Sequence, residues 1–309
     1  PPGFGCRLEG SAEKFRVSSI TAAEFKPESF AEAASNLANR LLEDFKVRFG
    51  GLKGLRVGVL FSGGVDSSLT AHLLKLLGLK PCLYTAGIKD SSDIASALEA
   101  AEKLDLKVEV EDFGFDGFAR LVEEVVYFSE RFNPIDVSIA LPLYVAARKA
   151  SADGVKTLFA GQGFDELFGG YARYGNILGE KSYGGLEEAL SRDVFSLAEA
   201  NLERDVLTGL GAGVRLEASG ASRDLIGLAL AIPAEYKVSS VSDVYRKRVL
   251  REAAVKLGLP ESLAWKPKKA VQFGSGSAKL LRRLAGGKPS AEYLAEVFHR
   301  VFGFRLSEK

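Results

Sequence analysis

The chain has 309 residues, 47% of them hydrophobic and 26% charged, ordinary globular values that exclude wholesale disorder, collagen-like repeats and coiled-coil composition. Forty-one Lys plus Arg against forty Asp plus Glu leave a net charge of +1, so no overall basic field points to nucleic acid. Cys6 and Cys82 cannot build a disulfide framework or a thiolate metal site. His72 and His299, far apart in sequence, give a Ser-His-Asp triad little basis. No apolar stretch approaches the roughly 20 residues of a membrane helix and no secretory signal opens the chain, so a cytoplasmic protein with no membrane partner is expected. Methionine is absent, position 1 included, so the sequence is expected to lack part of its encoded start.

In chain order, residues 1–26 read as an N-terminal extension too small to be a domain. From Pro27 to Phe49, Phe30, Ala34, Leu37, Leu41 and Phe45 recur at three- and four-residue steps, which predicts an amphipathic helix ended by Gly50-Gly51. Strands are expected at 56–61, 81–86, 107–110 and 157–160, and helices at 67–77, 93–104, 115–128 and 143–152. That rhythm predicts an α/β fold with a doubly wound, mostly parallel sheet over residues 27–175. After Tyr174 strand signals fade; helical patterns at 186–207, 223–231, 243–257 and 291–302 predict a C-terminal helical lobe over 176–309.

The first chemical motif follows the strand RVGVLF. Ser62-Gly63-Gly64-Val65-Asp66-Ser67-Ser68 turns directly into the helical LTAHLLKLL. Two glycines let backbone N–H groups approach phosphate oxygens, the helix dipole favours their charge, and Ser62, Ser67 and Ser68 can donate hydrogen bonds. Asp66 would repel bare phosphate, so its carboxylate fits a Mg²⁺ held with the phosphates. The turn has neither the Walker nor the dinucleotide spacing. It resembles instead the SGGxDS loop of ATP pyrophosphatases (adenine nucleotide alpha hydrolase-like), which cleave ATP to AMP and pyrophosphate.

The second motif, Ala160-Gly161-Gln162-Gly163-Phe164-Asp165-Glu166-Leu167-Phe168-Gly169-Gly170-Tyr171, also follows a short strand. Alone, Asp165 and Glu166 read as first-turn residues of a helix. With the first loop, strands ending on one sheet edge can bring Asp66 and Asp165 to a shared Mg²⁺ at a switch-point crevice.

SGGVDSS followed by AGQGFDELFGGYARY resembles the synthetase domain of asparagine synthetases and their β-lactam synthetase relatives, from about Phe30 onward. The resemblance implies that the loop serines and glycines bind pyrophosphate, that Asp66 and Asp165 hold Mg²⁺, and that Leu60, Gly161 and Gly87 lie near the nucleotide. It implies that Lys268, in Lys266-Pro267-Lys268-Lys269, neutralises charge on the leaving pyrophosphate, with Lys266 and Lys269 in reserve. Gln162 stands where these enzymes commonly carry Glu; it can orient a substrate by hydrogen bonding but cannot exchange a proton. The YRKRVLREAA segment at 245–254 resembles a helix of the same domain, yet as a charge-rich stretch it reads as a solvated surface helix. His72, Cys82 and Trp265 receive no functional role.

The implied activity is that of an ATP-dependent carbon–nitrogen ligase acting on a small carboxylate, aspartate by default. The glutaminase domain usual in that family is missing, and PPGFGCRLEGS is similar to the tail of one, so ammonia is expected from solvent or a separate glutaminase. Two other readings are a tRNA-modifying ATP pyrophosphatase, which lacks a CxxC pair and basic excess here, and a non-catalytic nucleotide-binding regulator.

Overall fold

The computed structural model describes the backbone of residues 4–9 and 11–16, and residues 22–267 and 274–303 in full. The chain starts with an antiparallel hairpin, β1 (Phe4–Glu9) and β2 (Ser11–Arg16), registered Phe4↔Arg16 to Glu9↔Ser11. Helix α1 (Phe30–Phe49) follows, then β3 (Arg56–Leu60), α2 (Val65–Leu76), β4 (Lys80–Gly87), α3 (Ser92–Leu104) and β5 (Val108–Asp112). Next come α4 (Phe118–Ser129), α5 (Pro134–Ala152), β6 (Thr157–Ala160), α6 (Phe164–Phe168), α7 (Arg173–Leu197), α8 (Glu203–Gly211) and β7 (Arg215–Ala218). The chain closes with α9 (Arg223–Ala231), α10 (Arg248–Lys256), α11 (Glu261–Ala264), α12 (Ser277–Leu284) and α13 (Ser290–Phe302). No described helix is long and apolar enough to cross a membrane.

Two compact units share these elements, and the chain passes between them more than once. Residues 52–160, 203–217 and 269–309 form the sheet unit. Its five strands lie in the order β5-β4-β3-β6-β7, as the expected parallel α/β sheet. Strand β3 pairs in parallel with β4 (Leu60↔Tyr84) and with β6 (Val59↔Phe159). Consecutive strands thus step outward from β3 to β5, and the chain then returns to the other side of β3. That reversal is a topological switch point, and ligands of open α/β sheets bind at the carboxyl ends of the flanking strands. Here those ends are Leu60 and Ala160. Helices α2 and α3 pack on β3, β4 and β5, while α5 packs on the same strands and carries α4, α8 and α12.

The expected strand at 157–160 is observed with those bounds, and the others shift by one to two residues. Several elements differ more: the helix expected over 186–207 is observed as α7, from Arg173, and α8, from Glu203, and the one expected over 243–257 begins only at Arg248. Helix α5 begins nine residues before the expected Leu143, because Asn133 Oδ1 accepts from Ile135 N at 2.8 Å and Pro134 occupies the first turn, where no N–H is needed. Strand β7 was not anticipated; Arg215 N joins it to the sheet by donating to Lys156 O at 2.9 Å.

The second unit comprises residues 1–51, 161–202 and 218–268. Helix α1 is capped by Ser29, whose side chain accepts from Glu32 N; the helix buries Leu37, Leu41 and Phe45 and packs on α9 and α10. Each such Leu or Phe contributes roughly 1.5–3 kcal/mol on burial. Helix α7 is broken at Ser182, where φ is 60°. Its residues Tyr174, Leu186 and Leu190 pack with Ala234 and Val238.

Candidate functional site

In the sheet unit, β3 gives way at Leu60 to the glycine turn. Phe61 N donates to Tyr84 O at 2.8 Å and extends the strand pairing by one residue. Gly63 has φ 69°, and a Cβ there would overlap Ser96 O of α3. Only glycine meets both demands. Gly64, in extended conformation, precedes α2 and has no side chain to cap it, so the first-turn N–H groups of this 12-residue helix stay available to an anion. Ser67 Oγ donates to Gly64 O at 3.2 Å and lies 3.5 Å from Ser62 Oγ. Ser68 Oγ is buried with no hydrogen-bond partner among the described residues, an unsatisfied donor of the kind a phosphate oxygen satisfies. Asp66 sits in the same first turn, and its carbonyl accepts from Thr70 Oγ1 at 2.9 Å.

Beside this turn, β4 ends at Gly87. A Cβ at Gly87 would lie 2.5 Å from Ser91 Oγ and 3.2 Å from Ser275 O. Ile88 N donates to Ser275 O at 2.8 Å, and Ser277 Oγ donates to Ser138 O at 2.6 Å. A Cβ at Gly274 would overlap the Asp93 carboxylate. The chain after the lysine segment is therefore fastened to the β4–α3 corner and to α5. Lys268 and Lys269 themselves lie outside the described residues; Lys266 is described, and its carbonyl accepts from Arg251 Nη1 at 2.8 Å.

In the second unit, Gly161 and Gln162 lead into α6. Gln162 O accepts from Gly220 N at 2.9 Å, and Gly163, at φ 95°, presses on the Gly220 backbone. Asp165 Oδ1 lies 2.6 Å from Lys247 Nζ. Lys247 is fully buried, and a Cβ at Gly170 would overlap both partners. Glu166 is buried too: Oε1 accepts from Tyr171 OH at 2.5 Å and from Asn201 Nδ2 at 2.6 Å, while Oε2 has no hydrogen-bond partner among the described residues. Burial, and then the neighbouring Asp165 charge, push the Glu166 carboxyl above its ordinary range.

Lys247 corrects the sequence reading of the YRKRVLREAA stretch. Arg246 and Lys247 take left-handed backbone (φ 49° and 51°), and α10 starts only after them, at Arg248. The turn is held by Asp243, which accepts from Ser239 N, Tyr245 N and Arg246 N at 3.0 Å each. Burial works against the Asp243 carboxylate, but these donors and the Ser239 hydroxyl keep its pKa below the ordinary value. Arg251 is fully buried and donates to Tyr245 O, Arg246 O and Ala264 O. The charges of this segment are internal fasteners, not a solvated face. A run of Lys and Arg carries no mark of burial without its partners, and that of Lys247, Asp165, lies far along the chain.

The asparagine synthase family model matches residues 52–208 and 180–296. The chain belongs to that family. A Methanocaldococcus jannaschii protein named "Putative asparagine synthetase (glutamine-hydrolyzing) 1" is 33% identical over 289 residues, covering 84% of this chain and 53% of that protein. Asparagine synthetase B (glutamine-hydrolyzing) of Escherichia coli is 26% identical over 233 residues, 71% of this chain and 41% of that protein. The chain thus spans about half the length of the curated relatives it matches, or less. Among solved structures, the NMN synthetase of Francisella tularensis aligns at 13% identity and TM-score 0.38, covering 91% of this chain and 99% of that one. The U34-tRNA thiolase NcsA of Methanococcus maripaludis aligns at 14% and 0.41, covering 94% and 90%.

The donor set bears on the metal that the family resemblance implies. Among the described residues no group of three or more His, Cys, Asp or Glu side chains could cage an ion. Mg²⁺ typically binds through one or two carboxylates plus substrate phosphates and keeps its waters. The glycine cradle and the unsatisfied Ser68 hydroxyl beside Asp66 fit such a phosphate-borne ion.

Proposed function

We propose that this chain is an ATP-dependent amidoligase that adenylates a small carboxylate, aspartate by default, and passes the acyl group to ammonia or another amine. The observation that carries it is the turn at Ser62–Ser68: an uncapped helix N-terminus, a glycine cradle closed by Ser96 and a buried, unsatisfied Ser68 hydroxyl, at the carboxyl edge beside the switch point. Family membership supplies the class of chemistry.

In this reading the α2 N-terminus with Ser62, Ser67 and Ser68 binds phosphate oxygens, while Gly63 and Gly64 let the backbone approach them. Leu60 and Gly87 of the sheet unit are proposed to lie along the nucleotide, and Gly161 is a separate nucleotide-binding candidate. A carboxylate oxygen of the acceptor attacks the α-phosphorus, the bond from that phosphorus to the bridging oxygen breaks, and pyrophosphate leaves with its electron pair. Lys268 offsets the charge that builds on it. Ammonia then attacks the acyl carbon, and AMP leaves carrying the acceptor's oxygen. Gln162 orients the reacting groups by hydrogen bonding, and the amine's surplus proton passes to water.

Asp66 and Asp165 are each proposed as carboxylates for Mg²⁺, which supplies charge neutralisation of the triphosphate when bound. Lys247 holds the Asp165 carboxylate in place before nucleotide arrives. A cytoplasmic setting and a separate nitrogen source belong to the same proposal. The test is a screen for pyrophosphate release from Mg²⁺-ATP with aspartate, other carboxylic acids and ammonium, followed by mass spectrometry of the products. Release that depends on a carboxylate supports the reading; none across the panel rejects it.

A further inference from the structure

Helix α6 carries Asp165, yet nothing within its own length fixes its orientation. It has five residues, too few for a helix to persist without its surroundings. Glycines flank it, Gly163 with φ 95° and Gly169 with φ 75°, so the chain on either side leaves its angle open. Phe164, Leu167 and Phe168 are buried and hold the helix down, but apolar burial is non-directional. Its rotation has to be set by polar groups on the same turn.

Asp165 and Glu166 are adjacent, so their side chains leave the helix about 100° apart. Asp165 Oδ1 meets Lys247 Nζ at 2.6 Å on one side. On the other, Glu166 Oε1 accepts from Tyr171 OH at 2.5 Å and from Asn201 Nδ2 at 2.6 Å. Both donors are themselves anchored. The Tyr171 ring lies 5.8 Å from that of Tyr174 and 4.4 Å from the Arg173 guanidinium, which pairs with Asp193 at 2.6 Å. Asn201 sits in a π-helical turn, Ala198–Leu202, a rare element that is frequent at functional sites.

Exposure separates the two acids. The Asp165 side chain is 22% exposed and can meet an ion, whereas Glu166, at 2%, is closed to one. Glu166 Oε2 has no hydrogen-bond partner among the described residues. A buried carboxylate left half-satisfied costs stability, a cost that a role in function offsets. From this geometry we infer that Glu166, tied to Tyr171 and Asn201, is a positioning residue that sets the rotation of α6 and so aims the Asp165 carboxylate at its metal. The inference rests on the metal role proposed above for Asp165. Glu166 itself makes no bond to the ion; loss of such an outer partner typically lowers metal affinity about 10- to 100-fold.

Calorimetric titration of the whole chain with ATP, once with Mg²⁺ and once with EDTA, tests it. The parent should bind Mg²⁺-ATP more tightly than metal-free ATP. Glu166→Leu should lose roughly tenfold or more of that preference while its affinity for metal-free ATP holds. Tyr171→Phe, which keeps the ring, should lose part of the preference. Glu166→Gln, which keeps an acceptor oxygen for both donors, should retain most of it. A merely structural role predicts instead that both forms of ATP are lost together, and that result overturns the inference. So does the parent's full preference in Tyr171→Phe and Glu166→Leu, an outcome that leaves the proposed function standing. A parent that binds both forms alike removes the metal role of Asp165 and the inference with it.

Discussion

Lys247 Nζ lies 2.6 Å from Asp165 Oδ1, and the lysine has no exposed surface. The carboxylate proposed for the metal is therefore partnered by a cation that had to leave water to reach it. Removing one member of such a pair leaves the other uncompensated, whereas removing both does not. Lys247→Met should cost roughly 2–4 kcal/mol in urea unfolding. The double variant Lys247→Met with Asp165→Asn should recover a clear part of that loss. Equal, additive losses would show that the contact contributes nothing.

Gly63 combines positive φ with contact to the Ser96 carbonyl. Gly63→Ala should lower stability by roughly 2–3 kcal/mol. It should also weaken ATP binding, measured by calorimetry, because the displaced backbone carries the proposed phosphate donors. Gly64→Ala, whose φ of −82° suits any residue and whose Cβ would meet only Ser62 Oγ, at 3.5 Å, should fold like the parent and show a smaller loss of binding.

The same kind of contact joins the chain after the lysine segment to α3. Gly274→Ala drives a Cβ into the Asp93 carboxylate and should lower the thermal midpoint by several degrees, on the scale of about 1–2 kcal/mol. Asp93→Ala in the same chain should restore part of the loss, since the obstructing group is gone. Thermal unfolding of the two single variants and the pair checks this.

The glycine turn was legible because its signals are local. A strand, two glycines and a helix adjoin in sequence, and the backbone there follows their order. The sheet's parallel character followed in the same way from alternating strands and helices. Other features depend on distant partners. The first half of α5 was hidden because Pro142 lies inside it, and the helix carries it within the buried core. Strand β7, four residues with Arg and Glu at alternate positions, shows no apolar run and exists by pairing with the β6 edge. Lys247 and Arg251, one helical turn apart in a charged run, resemble a surface stripe; only Asp165 and the Ala264 carbonyl, each supplied from elsewhere in the chain, reveal their burial.

Lys237 is fully enclosed, with Nζ donating to Ala229 O at 2.7 Å. Burial lowers its pKa to about 8, opposed by the Glu187 charge. Unfolded, the lysine titrates near 10.4. Between these values the unfolded chain binds the proton and the folded one does not, so stability rises with pH over that window. Below about 8 the folded state carries the buried cation at a constant cost on the order of 3 kcal/mol. Lys237→Met should therefore flatten the rise in unfolding free energy between pH 8 and 10 relative to the parent. An unchanged slope would place the proton elsewhere.

Oxygen transfer from the acceptor to AMP tests the central claim most directly. With ¹⁸O in the acceptor's carboxylate, attack on the α-phosphorus followed by amine displacement leaves one labelled oxygen in AMP and none in pyrophosphate. Asp66→Asn and Asp165→Asn should each suppress labelled AMP at least 100-fold, the size expected for loss of transition-state charge stabilisation. Label in orthophosphate, or unlabelled AMP formed at the full rate, would contradict the account.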